Sequence, residues 1–380
     1  MMNFLRLAII ICFWLSATLN AEPAPPEASP PVVGAKSYLL QDFNSGQSLA
    51  EENADVAAEP ASLTKLMTAY VIFKELASEN IKLTDQVTIS ENAWRTPGSR
   101  MFIEVGKQVS VEDLLRGMII QSGNDATVAL AEFAAGSESG FTVLMNQYAK
   151  ELGLKGTNFA NSSGLPAPDH YSTARDIARI ASALIREFPQ YYKWYSQKEF
   201  SYNEITQYNR NRLLWRDESV DGLKTGFTDS AGYCLVTSAM RDGMRLISVV
   251  IGTVSDKVRV DATQSLLNYG FHFYTSYALH AANLPLIETR VWKGASDSLP
   301  LGLHQPLYVA VLKRQNSGLD ANMLVDKTII APVAKGQQLG WAQVSLDNKP
   351  LIQQPLVALK EIPEGNFWQR MVDEVLLYFN

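Results

Sequence analysis

Three consecutive strand-like runs, Val220 to Thr228, Gly232 to Met240 and Met244 to Gly252, constrain the fold more than any other feature of the chain. The last two meet at Arg241-Asp242-Gly243, a turn signal, so they read as neighbours in one sheet. A second strand pair stands near the other end, where Ala35 to Phe43 and Gln47 to Ala50 flank the turn Asn44-Ser45-Gly46. Between the two, Leu63, Leu66, Met67, Tyr70 and Val71 repeat at the spacing of a buried helix face, behind a Pro60 that suits a helix start. Val111 to Ile120, Ala126 to Ala135, Thr142 to Leu152 and Ala174 to Phe188 continue the helical pattern. They are broken by the polar turn Gln121 to Asp125 and by the loop Asn158 to Tyr171. Strands at both ends with helices between them make an α/β layered domain.

The chain has 380 residues, enough for that domain and a smaller one. We assign 32–283 to the first. From about Leu284 short strand-like runs (Tyr308 to Leu312, Lys327 to Ala331, Ala342 to Leu346, Leu356 to Leu359) alternate with Gly, Pro, Asn and Asp, so 284–362 reads as a small all-β module. In 363–380, Phe367, Trp368, Met371, Val372, Val375, Leu376 and Phe379 form an apolar stripe at helical spacing, a candidate membrane-surface anchor. Membrane-surface helices usually carry basic residues on their polar face, whereas Glu361, Glu364, Asp373 and Glu374 here stand against Arg370 alone.

Arg6, the apolar run Leu7 to Leu15 and the small residues ending at Ala21 read as a secretory signal peptide, 1–21, too short to span a membrane. Residues 22–31 are a proline-rich spacer. Loss of the signal takes the formal charge from -6 to -7 and removes Cys12, leaving Cys234 without an intramolecular disulfide partner. Cys234 lies in a strand pattern and reads as a small buried hydrophobe. An acidic chain of this kind is not a nucleic-acid binder.

The chemistry begins at Pro60-Ala61-Ser62-Leu63-Thr64-Lys65, where a serine and a lysine three apart share one helix face. Ser-x-x-Lys alone is compatible with a helix cap followed by a surface lysine. Its functional reading is a nucleophile beside a base, because burial at a helix N-terminus disfavours the ammonium form. Ser-x-Asn occurs at Ser78, Ser90, Ser122 and Ser201, but only Ser122-Gly123-Asn124 falls in a short break between apolar helices. Lys224-Thr225-Gly226 lies within a strand pattern, and its glycine allows a close backbone approach along which a peptide could add as a strand. A plain edge strand guarded by a lysine is the alternative.

Taken together and in this order, the three motifs are far more specific than any one of them, and they recur as a set in penicillin-binding proteins and class A β-lactamases. Through Pro60 to Thr68, Ser122 to Asn124 and Asp221 to Gly226, the chain resembles the low-molecular-weight penicillin-binding proteins that are D-alanyl-D-alanine carboxypeptidases. The resemblance implies a penicillin-recognising α/β domain followed by a small all-β domain, in a periplasmic enzyme peripheral on the outer face of the inner membrane. The implied substrate is a peptidoglycan stem peptide ending in D-Ala-D-Ala, with β-lactams as covalent inhibitors and no cofactor or metal. It implies Ser62 as nucleophile, Lys65 as base, Ser122 as proton relay and Asn124 as holder of the substrate amide and of Lys65. Lys224, Thr225 and Gly226 would line the substrate edge, and Ser62 and Phe227 would offer backbone N–H groups to an oxyanion. Arg210 and Arg259 match positions near the substrate carboxylate, for which a guanidinium is well shaped. Phe227 departs from the histidine that close relatives often carry there.

A β-lactamase shares the motifs, but the Glu-x-x-Leu-Asn pattern of class A deacylation is absent. A D,D-endopeptidase of the same fold and a non-catalytic wall-binding scaffold remain as alternatives. A metallopeptidase is disfavoured, since His170, His272, His280 and His304 form no His-Glu-x-x-His and no close cluster. His170 reads as a structural loop histidine.

Overall fold

The computed structural model describes residues 29–314 and 318–379. The signal peptide expected over 1–21, and all of the spacer before residue 29, lie outside the described residues. The first domain is built on a five-stranded antiparallel sheet in the order Ser48–Glu52, Ser37–Asp42, Met244–Thr253, Gly232–Arg241, Val220–Thr228. The first and last parts of the domain thus meet at its centre, where Leu39 pairs with Val249. Because side chains alternate across a strand, Leu39, Val236, Val249 and Ile251 enter one core while Leu40, Leu235, Leu246 and Val250 enter another. Both faces are covered, which explains why these strands read as nearly unbroken apolar runs.

One face carries the middle helices, Lys65–Ala77, Asn124–Ala135, Glu138–Glu151 and Ala174–Glu187. Every residue from Lys65 to Phe73 is buried, so the first helix runs through the core and its N-terminal lysine is carried inside with it. The other face is closed by Asp256–Phe273, with Leu266 and Leu267 against the sheet. The helix expected over Val111 to Ile120 is α-helical for Val111–Arg116 and then widens into a π-helical turn, Gly117–Gln121. The expected start at Thr142 moves back to Glu138, because the Ser137 hydroxyl accepts from the Gly140 N–H and caps the helix.

The second domain is all β. Its main sheet runs Pro285–Arg290, Ser298–Gly302, Lys349–Ala358, Gln338–Leu346, Leu319–Val325, around a core that includes Val291, Leu301, Val309, Val344 and Leu356. Tyr274–His280 pairs antiparallel with Leu307–Leu312. Lys327 to Ala331 is not a ladder strand and contributes an isolated bridge, Ile330 to Trp292; Pro332 follows it without an N–H to continue pairing.

The closing helix, Phe367–Tyr378, begins with a capping box between Asn366 and Gln369 and buries none of its residues. Asp373 accepts from the Lys293 N–H at 2.5 Å and from Arg290 at 3.2 Å, and Glu374 is paired with the Lys293 ammonium. The acidic side of the helix is therefore turned to the β domain. Phe367, Trp368, Met371, Val372, Val375 and Phe379 are left exposed. Among the described residues no helix is long and apolar enough to cross a membrane.

Candidate active site

Ser62 sits in a 3-10 turn, Ala61–Thr64, that leads directly into the core helix. Lys65 Nζ lies 3.0 Å from Ser62 Oγ, 2.7 Å from Asn124 Oδ1 and 2.6 Å from the Ser163 carbonyl oxygen. The last two are obligate acceptors. A neutral amine has two N–H groups to satisfy them, and its lone pair is then left facing the Ser62 hydroxyl. Burial, reinforced by the positive Arg210, lowers the Lys65 pKa to about 7, so this neutral form is populated near physiological pH.

Ser122 follows the π-helical turn with a left-handed backbone, φ 68°, and its hydroxyl is 2.8 Å from Lys224 Nζ. Lys224 is buried, and burial together with the nearby charge of Lys65 holds its pKa well below the ordinary lysine value. Ser62 and Ser122 thus each face a buried amine. Asn124 accepts from Lys65 through Oδ1 and donates through Nδ2 to the Pro97 carbonyl at 2.6 Å. Asp125, which no motif singles out, is fully buried; its carboxylate accepts from the N–H groups of Met101, Phe102 and Ile103 and holds residues 101–103 to the Ser122 loop.

Val220–Thr228 is the outer strand of its sheet, so the Lys224-Thr225-Gly226 stretch lies along an edge. A Cβ on Gly226 would fall 3.2 Å from the Ser62 backbone N and 3.2 Å from the Pro60 carbonyl oxygen; any larger residue would press the strand a few tenths of an ångström away from the nucleophile turn. Thr225 is buried and its hydroxyl has no partner among the described residues. Phe227 is 48% exposed and packs on Tyr233, ring centroids 4.3 Å apart. The Arg259 guanidinium lies 5.3 Å from the Tyr233 ring on its own account.

Arg259 is not a surface arginine. It is buried, donates to the carbonyl oxygens of Gly226 at 3.0 Å and Cys234 at 3.2 Å, and pairs with Asp256. It braces the edge strand from the Asp256–Phe273 helix. Arg210 stands at the surface, donates through Nε to the Gln121 carbonyl at 3.0 Å, and keeps its two Nη groups without partners among the described residues. Burial of its stem, then the charge of Arg259, lower its pKa.

The loop Asn158 to Tyr171 forms the wall behind Lys65. Ser162 and Ser163 offer carbonyl oxygens to Thr68 and Lys65, and Gly164 packs so tightly that a Cβ there would overlap the Ala61 carbonyl. His170 Nδ1 accepts from the Ala160 N–H at 3.0 Å, which leaves the proton on Nε2 to be donated to Thr64 Oγ1 at 2.8 Å. Thr64 in turn donates to the Ala61 carbonyl. Burial pushes the His170 pKa down to about 4. A neutral, buried histidine in this role supports the nucleophile turn and does not contact the cleft chemistry. Cys234 is buried and its thiol is pushed up to about 11.

A serine hydroxyl beside a buried amine, with a second serine–lysine pair nearby, is an arrangement that can carry acyl transfer. A model of the D-alanyl-D-alanine carboxypeptidase family, peptidase family S11, matches residues 24–255, and a model of the C-terminal domain of penicillin-binding protein 5 matches 274–364. The chain is 45% identical over 358 residues to D-alanyl-D-alanine carboxypeptidase DacA of Escherichia coli strain K12, covering 92% of this chain and 89% of that protein. To DacC of the same organism it is 44% identical over 358 residues, covering 92% and 90%. Penicillin-binding protein 5 from Haemophilus influenzae superposes with a TM-score of 0.83 at 43% identity, covering 88% of this chain and 99% of that one. The chain belongs to the D-alanyl-D-alanine carboxypeptidase family.

Proposed function

We propose that this chain removes the terminal D-alanine from peptidoglycan stem peptides ending in D-Ala-D-Ala, through an acyl-enzyme on Ser62, and that β-lactams acylate the same hydroxyl. The observation that carries the reading is the set of partners around Lys65 Nζ, two obligate acceptors and the Ser62 hydroxyl. Ser62 Oγ attacks the carbonyl carbon of the penultimate D-alanine and its proton passes to Lys65. The N–H groups of Ser62 and Phe227 receive the oxyanion. As the C–N bond breaks, Ser122, facing Lys224 at 2.8 Å, delivers a proton to the leaving amine. Water then attacks the ester and frees Ser62. Arg210, with both Nη groups without partners among the described residues, attracts the free carboxylate beside Lys224 and Thr225, and Arg259 holds the strand that presents them.

Purified protein incubated with a peptide ending in D-Ala-D-Ala should release D-alanine and take up a fluorescent penicillin covalently. No release would overturn the activity.

We further infer an exported protein held on a membrane surface by Phe367–Tyr378. Arg6 with the Leu7 to Leu15 run supports export. The exposed apolar face, Trp368 72% and Phe379 81% exposed, supports surface binding, and the pairing of Asp373 and Glu374 with Arg290 and Lys293 removes much of the repulsion that the acidic composition would otherwise cause. Deleting 367–380 should move the protein from the membrane to the soluble fraction. Its persistence on membranes would reject the anchor.

A further inference from the structure

Phe102 has a φ of 69°, in the left-handed region that bulky residues rarely adopt. Among the described residues, the non-glycine residues with positive φ carry polar side chains except for two, Ala61 and Phe102. Ala61 directly precedes the nucleophile. Phe102 belongs to the segment that grips the Ser122 loop from outside. Asn124 accepts nothing from this segment but donates twice to it, from its backbone N–H to the Ser99 carbonyl at 2.7 Å and from Nδ2 to the Pro97 carbonyl. On the far side, Gln207 donates to the Arg100 carbonyl at 2.9 Å.

The strain has a visible cause. The N–H groups of Met101, Phe102 and Ile103 converge on the Asp125 carboxylate at 2.8, 2.9 and 3.3 Å, and the side chains of Met101 and Ile103 are buried. The turn between them projects the Phe102 ring outward, where it is 49% exposed. Glycine or asparagine would make the same turn with less strain and without an apolar ring in water. Packing therefore covers only half of the ring, and strain held by a buried carboxylate beside the Ser122 loop is a pattern of functional sites.

We propose that Phe102 is a specificity-determining side chain whose ring receives the aliphatic side chain of the residue preceding the D-alanine pair. This rests on the carboxypeptidase reading. The carboxylate end of the substrate belongs to the edge strand, with Lys224 and Arg210. A peptide laid along that edge points alternate side chains to the sheet face that carries the middle helices, the face whose core includes Met101 and Ile103, and Phe102 is the exposed aromatic between them, on the segment bonded to Asn124. An exposed ring offers an apolar contact with little entropy to lose on binding.

The test compares N-acetyl-D-Ala-D-Ala with diacetyl-L-Lys-D-Ala-D-Ala on the full chain. Phe102→Ala should lower the ratio of kcat/KM for the tripeptide over the dipeptide about tenfold, through the KM of the tripeptide. Phe102→Asn, which keeps the turn but lacks the ring, should lower the ratio likewise, and Phe102→Leu should retain most of it. A ratio unchanged in both Ala and Asn variants, whether or not both substrates slow together, would overturn the assignment. Release of D-alanine from neither peptide by the wild type would instead overturn the hydrolase reading, and this inference with it.

Discussion

Ser62→Ala should lower the rate of D-alanine release about 10⁶-fold, the scale on which removal of an acyl-transfer nucleophile acts. The loss is that large because no other group stands in for it: Lys65 has its two N–H groups committed to Asn124 and Ser163, and Ser122 faces a different amine. Fluorescent penicillin labelling should vanish with the same substitution. The fold should survive, since the hydroxyl's contact is with Lys65 and the turn itself is held by Thr64, Gly164 and His170. Adding Lys65→Met to Ser62→Ala should cost little more, because residues that act as one unit are far from additive. Persistent labelling of Ser62→Ala would remove Ser62 from the nucleophile role.

Lys65→Met alone should lower kcat/KM about 10³-fold, the contribution of a well-placed general base. Its pH dependence carries the sign of the mechanism. The amine must be neutral to take the Ser62 proton, and its pKa is lowered to about 7. Activity should therefore rise about tenfold per pH unit below 7 and level off above it. A lysine at its ordinary value near 10.4 would be neutral in only about one molecule in 2500 at pH 7. The wild-type limb should be absent from the residual rate of Lys65→Met. A flat wild-type profile between pH 5 and 8 would contradict a neutral Lys65 as base.

How much of this was readable from the chain depends on whether the relevant group is a side chain in a motif. Ser62, Lys65, Ser122, Asn124 and Lys224 are legible through three motifs taken together and in order, and the structure joins Ser62 and Asn124 through Lys65 and pairs Ser122 with Lys224. The strands Val220–Thr228, Gly232–Arg241 and Met244–Thr253 are legible because they are covered on both faces. The wall behind Lys65 is not legible: it is made of the backbone carbonyls of Ser162 and Ser163, and a carbonyl has no residue type. Asp125 hides among turn formers, where an aspartate usually caps a helix in solvent. The helix Asp256–Phe273 is obscured because its buried side includes Arg259, Thr263 and Gly270 beside Leu266 and Leu267. In the β domain, strands such as Leu319–Val325 are exposed along most of their length and lack a clear alternation.

The buried Cys234 has a practical consequence. A thiolate is the reactive form of cysteine, and a thiol with a pKa near 11 that is closed off inside a sheet supplies very little of it. Among the described residues there is no accessible sulfhydryl to alkylate, oxidise or cross-link. A cysteine introduced at an exposed position, such as Glu218 or Asp229, would become the one attachment point for a dye or spin label in the described chain, and distances from it could be measured without first removing a native thiol.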